Sequence, residues 1–208
     1  MLLRTRTSTL KLTVMLFIRP QETYDAFNVN VFGILNVTRA VLPYMRAQHS
    51  GVIAHFGSIG SWHGTPAGGI YCGTKWAISG ITESLHIELA DFGIEVCVIE
   101  PGYFRTGFLN PGARMFTEAR LDAYEDTAAG KVRKLFEEKN NKQAGDVEKG
   151  AKVIFEVLTK KDGRAVPMRL ALGSDAYNSI VGKCDETKKL LDEWKEVIIS
   201  TDHDVKYD

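Results

Sequence analysis

Two short β-rich runs, with room between them for a helix, restrict this chain more than any other feature. "GVIAHFGS" (51–58) follows the turn signal "QHSG" and reads as a buried strand. "FGIEVCVIEPG" (92–102) holds the second, opened after Gly93 and closed by Pro101–Gly102. The link from Ser58 to Ile94 is long enough for a crossover helix. It supplies one from about Ile70 to Asp91, with Ala77, Ile81, Leu85 and Leu89 at helical spacing. A helix from Glu22 to Met45, carrying Ala26, Phe27, Ile34, Val37, Val41 and Met45, precedes the first strand. Helix, strand, helix, strand with short links predicts parallel α/β winding. Beyond it the pattern predicts a polar helix over about 118–140 and an amphipathic one over 147–159. "RLALGSDAY" reads as a strand ending in a helix cap, with Ser174 or Asp175 at the N-cap, and a last helix runs to about Ile199.

The chain has 208 residues, enough for one domain with a substantial core. Its 26 basic and 26 acidic residues balance, which removes any bulk attraction to nucleic acid. Cys72, Cys97 and Cys184 are odd in number and lack CxxC spacing, which argues against a disulfide framework or a structural zinc site. A reducing compartment, the cytoplasm, is expected. His49, His55, His63, His86 and His203 show no metal-ligand spacing. No apolar run approaches the roughly 18 residues of a membrane span. Residues 1–20 stand apart: four basic residues, five Ser/Thr and no acid. They read as a leader outside the fold, with a mitochondrial-type transit peptide or a weak signal sequence over Leu12–Ile18 as alternatives. Residues 21–200 form the domain and 201–208 a polar tail.

Chemistry is suggested by "GIYCGTKWA" (69–77). Tyr71 and Lys75 lie four apart and share one helix face. Ser58 stands thirteen residues before Tyr71, at the end of a strand, where open α/β sheets place their sites. A solvated Tyr–Lys pair, a serine that only bonds its own turn and a polar helix residue at Asn30 are the plain alternatives. The ordered series of strand, Ser, Gly-rich loop, Tyr-x-x-x-Lys, strand and Pro-Gly is far more demanding than any one member.

The runs "FNVNVFGILNVTRAVLPYMR", "GVIAHFGSIGSW" and "YCGTKWAISGITESLHIELADFGIEVCVIEPGYFRTGF" resemble the short-chain dehydrogenase/reductase family, and "RLALGSDAY" does so more loosely. The likeness is to fungal-type enzymes related to retinol and hydroxysteroid dehydrogenases, and covers about residues 21–199. It implies NAD(P)-dependent interconversion of a carbonyl and a secondary alcohol, with a tetrad on Asn30, Ser58, Tyr71 and Lys75. A lysine ammonium beside a tyrosine stabilises its phenolate and brings a reference pKa of about 10 closer to working pH. Tyr71 would then move the proton, Ser58 hold the same oxygen, Lys75 meet the cofactor ribose, and Asn30 order a water behind Lys75.

The resemblance further implies that Pro101, Gly102, Phe104 and Thr106 lie against the nicotinamide, with Tyr71 and Lys75 also touching the cofactor. NADP(H) is preferred over NAD(H) by resemblance alone. Residues 103–145 would form a flap over a small apolar carbonyl or alcohol substrate, with Phe108, Phe116 and Tyr124 suited to it or to core packing. Trp62 and His63 are placed at the substrate's border by position. Helices 22–45 and 70–91 commonly pair in this family, so a homodimer through them is expected.

No GxGxxG or GxxxGxG occurs, and the first glycine is Gly33, already inside a predicted helix. The expected fold is therefore a partial Rossmann-like, doubly wound parallel sheet lacking its first βαβ units: an N-terminally truncated member. The alternative to an active enzyme is a catalytically silent truncated paralogue, splice form or interaction subunit unable to bind dinucleotide alone.

Overall fold

The computed structural model of the chain describes residues 10–12, 19–110, 114–116 and 122–203, the two shortest segments by backbone alone. The strands are β1 (Leu10–Leu12), β2 (Gly51–Phe56), β3 (Ile94–Pro101), β4 (Arg114–Phe116) and β5 (Arg169–Leu172). The helices are α1 (Pro20–Phe27), α2 (Gly33–Ala47), α3 (Gly69–Glu88), α4 (Ala128–Glu138), α5 (Val147–Leu158), α6 (Ser174–Glu193) and α7 (Lys195–Ile199). Of the expected leader, residues 10–12 pair in parallel with β4. Residues 1–9 and 13–18, and 204–208 of the expected tail, lie outside the described residues.

The main sheet is three-stranded and wholly parallel in the order β2-β3-β5. Gly51 stands opposite Ile94 at one end of the β2–β3 pair, and Pro101 opposite Leu172 at the end of the β3–β5 pair. Strand β3 is the central one, and Val96, Cys97, Val98, Ile99 and Glu100 have no accessible surface. Its alternation divides the core. Ile94, Val96 and Val98 pack with Met45, Leu89, Val31, Ile34 and Ile78 from the α2/α3 side. Cys97 and Ile99 pack with Leu158, Val166 and Leu172 on the α5 side. Helices thus cover both faces, the arrangement expected of an all-parallel sheet. Each fully buried Val or Ile contributes about 1.5–3 kcal/mol.

The helix expected over Glu22–Met45 is continuous but not uniform. Residues Asn28–Phe32 form a π turn between α1 and α2, and within it both Asn30 and Val31 are buried. A π turn inserts an extra residue and re-aims the side chains it carries. Here it turns Asn30 inward, where its Nδ2 donates to Thr74 Oγ1 at 3.1 Å.

Two expectations are corrected. The polar helix begins at Ala128, since Thr127 is extended and its hydroxyl donates to Tyr124 O. Residues 118–121 of the expected span lie outside the described residues. At the start of α6 the N-cap is Gly173, with φ +100°, rather than Ser174 or Asp175. Only glycine adopts that backbone easily, and the Asp175 carboxylate is engaged elsewhere.

His55 of β2 is buried between Thr38 of α2, 3.2 Å from Nε2, and Thr82 of α3, 2.9 Å from Nδ1. Both hydroxyls donate to carbonyls four residues back, Thr38 to Ile34 O at 2.8 Å and Thr82 to Ile78 O at 2.7 Å, so a neutral ring donates its one N–H to one of the two oxygens. Burial lowers its pKa from 6.5 to about 4. Above pH 6.5 the ring is neutral in both folded and unfolded chains. Between pH 6.5 and about 4 the unfolded chain alone takes up the proton, so stability falls as pH falls. Denaturant titrations across that window should lose about 3 kcal/mol from this group, and His55→Gln should flatten the slope.

Candidate active site

The carboxyl ends of the three main strands converge. β2 ends at Phe56–Gly57–Ser58, β3 at Pro101–Gly102 and β5 at Leu172–Gly173, and together they border a cavity of about 380 Å³. Gly57 permits the first of these ends, because a Cβ there would stand 2.7 Å from Val98 Cγ2. Of the eight catalytic and cofactor residues expected from sequence, seven line the cavity: Ser58, Tyr71, Lys75, Pro101, Gly102, Phe104 and Thr106. Asn30 does not. It lies one layer behind, bonded to Thr74 next to Lys75.

Ser58 caps the short 3₁₀ turn Ile59–Ser61, its Oγ accepting from Gly60 N–H at 3.1 Å. That bond uses a lone pair and leaves the hydroxyl proton available to the cavity. The same turn is fastened to α3, since Ser61 Oγ donates to Lys75 O at 3.1 Å. The Ser58 and Tyr71 side chains approach each other over Gly60: a Cβ there would lie 3.5 Å from Ser58 Oγ and 3.6 Å from Tyr71 Cε1. The turn-only alternative for Ser58 therefore accounts for one lone pair and not for where the side chain sits.

Tyr71 and Lys75 share the inward face of α3, with Lys75 Nζ 5.7 Å from the Tyr71 ring centroid. Lys75 is 4% exposed, which excludes a solvated surface pair. Its ammonium donates to Phe56 O at 2.8 Å and keeps two further donors. Burial lowers its pKa from 10.5 to about 8. On its other side the Tyr71 ring meets Phe108, centroids 5.9 Å apart, and joins a cluster built on Leu109 and Phe136. Phe108 lines the cavity as the apolar-substrate expectation required, whereas Tyr124 does not. The side chain of Phe116 lies outside the described residues.

The Pro101–Thr106 segment is clamped from several directions. Gly102 N–H donates to Leu172 O at 2.9 Å and Tyr103 N–H to Asp175 Oδ2 at 2.7 Å. The Asp175 carboxylate occupies the space a side chain at Gly102 would need, so proline-glycine is required by this contact as well as by the strand end. Phe104 lines the cavity with its ring lying over Gly145 and Gly150, where added Cβ atoms would clash at 2.7 and 2.6 Å. The Thr106 hydroxyl accepts from Phe108 N–H at 3.2 Å and retains its proton.

Trp62 and His63 are corrected. Neither lines the cavity: Trp62 Nε1 donates to Glu100 Oε2 at 2.9 Å, and His63 Nδ1 lies 3.3 Å from Ser179 Oγ. Glu100 also accepts from Ser79 Oγ at 2.9 Å and Arg169 Nη1 at 2.8 Å. Sequence reading passed over Glu100, although a lone acid inside a buried apolar strand run is a signal of such a network. Cys72 and Cys97 are buried and free, and Cys72 also lines the cavity. Among the described residues no group of three or more His, Cys, Asp or Glu could hold a metal, and no helix is long and apolar enough to cross a membrane.

The lysine's burial has a measurable consequence. Below about pH 8 Lys75 is charged in both states, and the folded chain bears the full desolvation penalty. Between pH 8 and 10.5 only the unfolded chain holds the proton, so this group makes stability rise with pH. The expected gain is about 3 kcal/mol. Lys75→Met should remove this rise and be the more stable chain at pH 7, as read by denaturant titration.

The family model for short chain dehydrogenase matches residues 7–115. The chain is 36% identical over 146 residues to the uncharacterized oxidoreductase YusZ of Bacillus subtilis, covering 68% of this chain and 51% of that protein. To the oxidoreductase BOA17 of Botryotinia fuckeliana it is 32% identical over 173 residues, covering 83% of this chain and 61% of that protein. It thus spans between half and three-fifths of these relatives. A short-chain dehydrogenase structure from Streptomyces avermitilis superposes with a TM-score of 0.83 at 34% identity, over 95% of this chain and 70% of the other. With the strand-end cavity and its Ser–Tyr–Lys lining, these matches lead to one statement: the chain belongs to the short-chain dehydrogenase family.

Proposed function

We propose that this chain carries the proton-handling part of an NAD(P)-dependent oxidoreductase that interconverts a carbonyl and a secondary alcohol. The observation that carries this reading is the convergence of Ser58 and Tyr71 on one point above Gly60, with buried Lys75 one turn along α3, in one cavity. A bound nicotinamide supplies or accepts the hydride. Tyr71 gives its phenolic proton to the carbonyl oxygen, or takes it from the alcohol in reverse. Ser58 donates a hydrogen bond to the same oxygen without competing for the proton. Lys75, when charged, stabilises the phenolate across a cavity whose low polarity strengthens the interaction. Asn30 fixes Thr74, and with it the turn of α3 that presents Lys75.

The residues present fit the nicotinamide end of such a cofactor: the clamped Pro101–Thr106 segment offers a wall, and the Thr106 hydroxyl retains a donor. The volume suits a ring and a small, largely apolar substrate. For the pyrophosphate the 208 residues hold no GxGxxG or GxxxGxG turn. That absence favours a second reading, a catalytically silent chain that pairs with another protein. NADPH is expected to bind more tightly than NADH, by resemblance, and the cytoplasm is the expected compartment. α1, the π turn and the helices α2 and α3 leave Tyr24, Val29, Phe32, Tyr44, Trp76 and Ile87 exposed, which supports pairing of two copies.

Calorimetry of NADPH and NADH with the purified chain separates the two readings: micromolar affinity excludes the silent chain, and no binding favours it. With cofactor bound, Tyr71→Phe should lower turnover of 1-tetralone about 10²–10⁴-fold while leaving NADPH affinity within a few-fold. Turnover that survives the substitution would sink the assignment. For pairing, sedimentation should show a dimer that Trp76→Glu converts to monomer; a monomeric parent chain would end that proposal.

A further inference from the structure

Gln143 is a polar residue that the chemistry above does not use. It precedes α5, lines the same cavity and is 5% exposed. Its Oε1 is shut off from solvent and has no hydrogen-bond partner among the described residues. Buried amide oxygens are rarely left so, because the lost hydration is not recovered.

The main chain around Gln143 is held firmly. Its carbonyl accepts from both Nε and Nη2 of Arg105, at 3.2 and 3.1 Å. Two residues on, Gly145 N–H donates to Tyr103 O at 3.0 Å and Gly145 O accepts from Arg105 N–H at 2.9 Å. The segment is thus stitched to the Pro101–Thr106 wall. The Gln143 carbonyl is doubly bonded, and the side-chain oxygen is left without a partner.

We infer that the Gln143 carboxamide recognises a hydroxyl or carboxamide of the molecule bound in this cavity; the inference rests on the proposed reading of the cavity as a substrate and cofactor site. A half-turn about the last side-chain bond exchanges Oε1 with Nε2, so the group can show the cavity either an acceptor or a donor. A hydroxyl satisfies both orientations. Phe104, Phe108, Leu109 and Phe136, which line the same cavity, offer a ligand nothing polar from their side chains. A polar group of the ligand that meets Gln143 pairs with its amide, and a ligand lacking one leaves the amide unpaired. Sites of this kind discriminate strongly against analogues missing the polar group. The recognised group has two sources, a substrate hydroxyl or the nicotinamide carboxamide.

The full chain and Gln143→Met, a change of similar volume without the amide, distinguish them. In the substrate arm, equilibrium binding of 6-hydroxy-1-tetralone is compared with that of 1-tetralone. In the cofactor arm, NADP⁺ is compared with its 3-acetylpyridine analogue, in which a methyl replaces the amide nitrogen. A preference of about tenfold for the polar member is expected in one arm, falling to about one in the variant. The melting temperature of the empty variant should equal or exceed that of the parent, because an unpaired buried polar group has been removed. A preference below threefold in both arms, or one that survives Gln143→Met, overturns the inference. A lower melting temperature does so too, since it would show the amide to be structural. These readouts need no turnover: a chain that binds selectively yet reduces neither ketone overturns the oxidoreductase reading and leaves Gln143 assigned.

Discussion

Glu100 has no accessible surface, yet three donors from three parts of the chain meet its carboxylate. Trp62 comes from the loop after β2, Ser79 from α3 and Arg169 from the start of β5. Arg169 also stacks over the Trp62 ring, its guanidinium carbon 4.7 Å from the centroid, and reaches Glu83 at 3.4 Å. A buried charge is tolerated only with such company, and removing one partner of a buried pair typically costs about 3–5 kcal/mol. The network therefore constrains the relative positions of the loop carrying Ser58, the helix carrying Tyr71 and Lys75, and the central strand leading to Pro101. Few other interactions in the molecule join all of these at once.

Smaller ties carry that constraint to the side chains lining the cavity. Ser61 joins the serine turn to the Lys75 carbonyl, and Lys75 reaches back to Phe56 O. Asn30, turned inward by the π turn, bonds Thr74. Asp175 and Leu172 hold the proline-glycine corner. The outcome is a preorganised set of donors in a largely apolar cavity, where electrostatic effects exceed those in water. Lys75 illustrates both sides of that placement. Burial strengthens its electrostatic influence on the neighbouring Tyr71, and the same burial brings its own pKa down to about 8.

Much of the fold was legible because its signals are local. Gly93, with φ +64°, and Pro101–Gly102 mark the ends of β3, and the apolar run between them needs nothing else. α3 and α5 follow their periodicity closely. Where competition decided, the reading slipped. Asp175 looked like an N-cap, a local role, but a long-range partner at Tyr103 claimed the carboxylate and Gly173 took the cap. The acid-rich stretch before Ala128 looked helical by composition, but Thr127 turned its backbone out of the helix. Trp62 and His63 sat next to the site in sequence, and the indole was drawn the other way by Glu100.

The sequence by itself determined the alternating strands and helices, the serine at a strand end and the tyrosine and lysine on one helix face. Each of these depends on residue type and spacing within a few turns of chain. The tertiary structure alone decided that Lys75 is buried, that Asn30 stands behind the cavity rather than in it, and that Gln143 faces it unpartnered. Those properties belong to neighbours brought from distant positions, and burial and hydrogen-bond satisfaction have no meaning until the three strand ends and the segments around them meet.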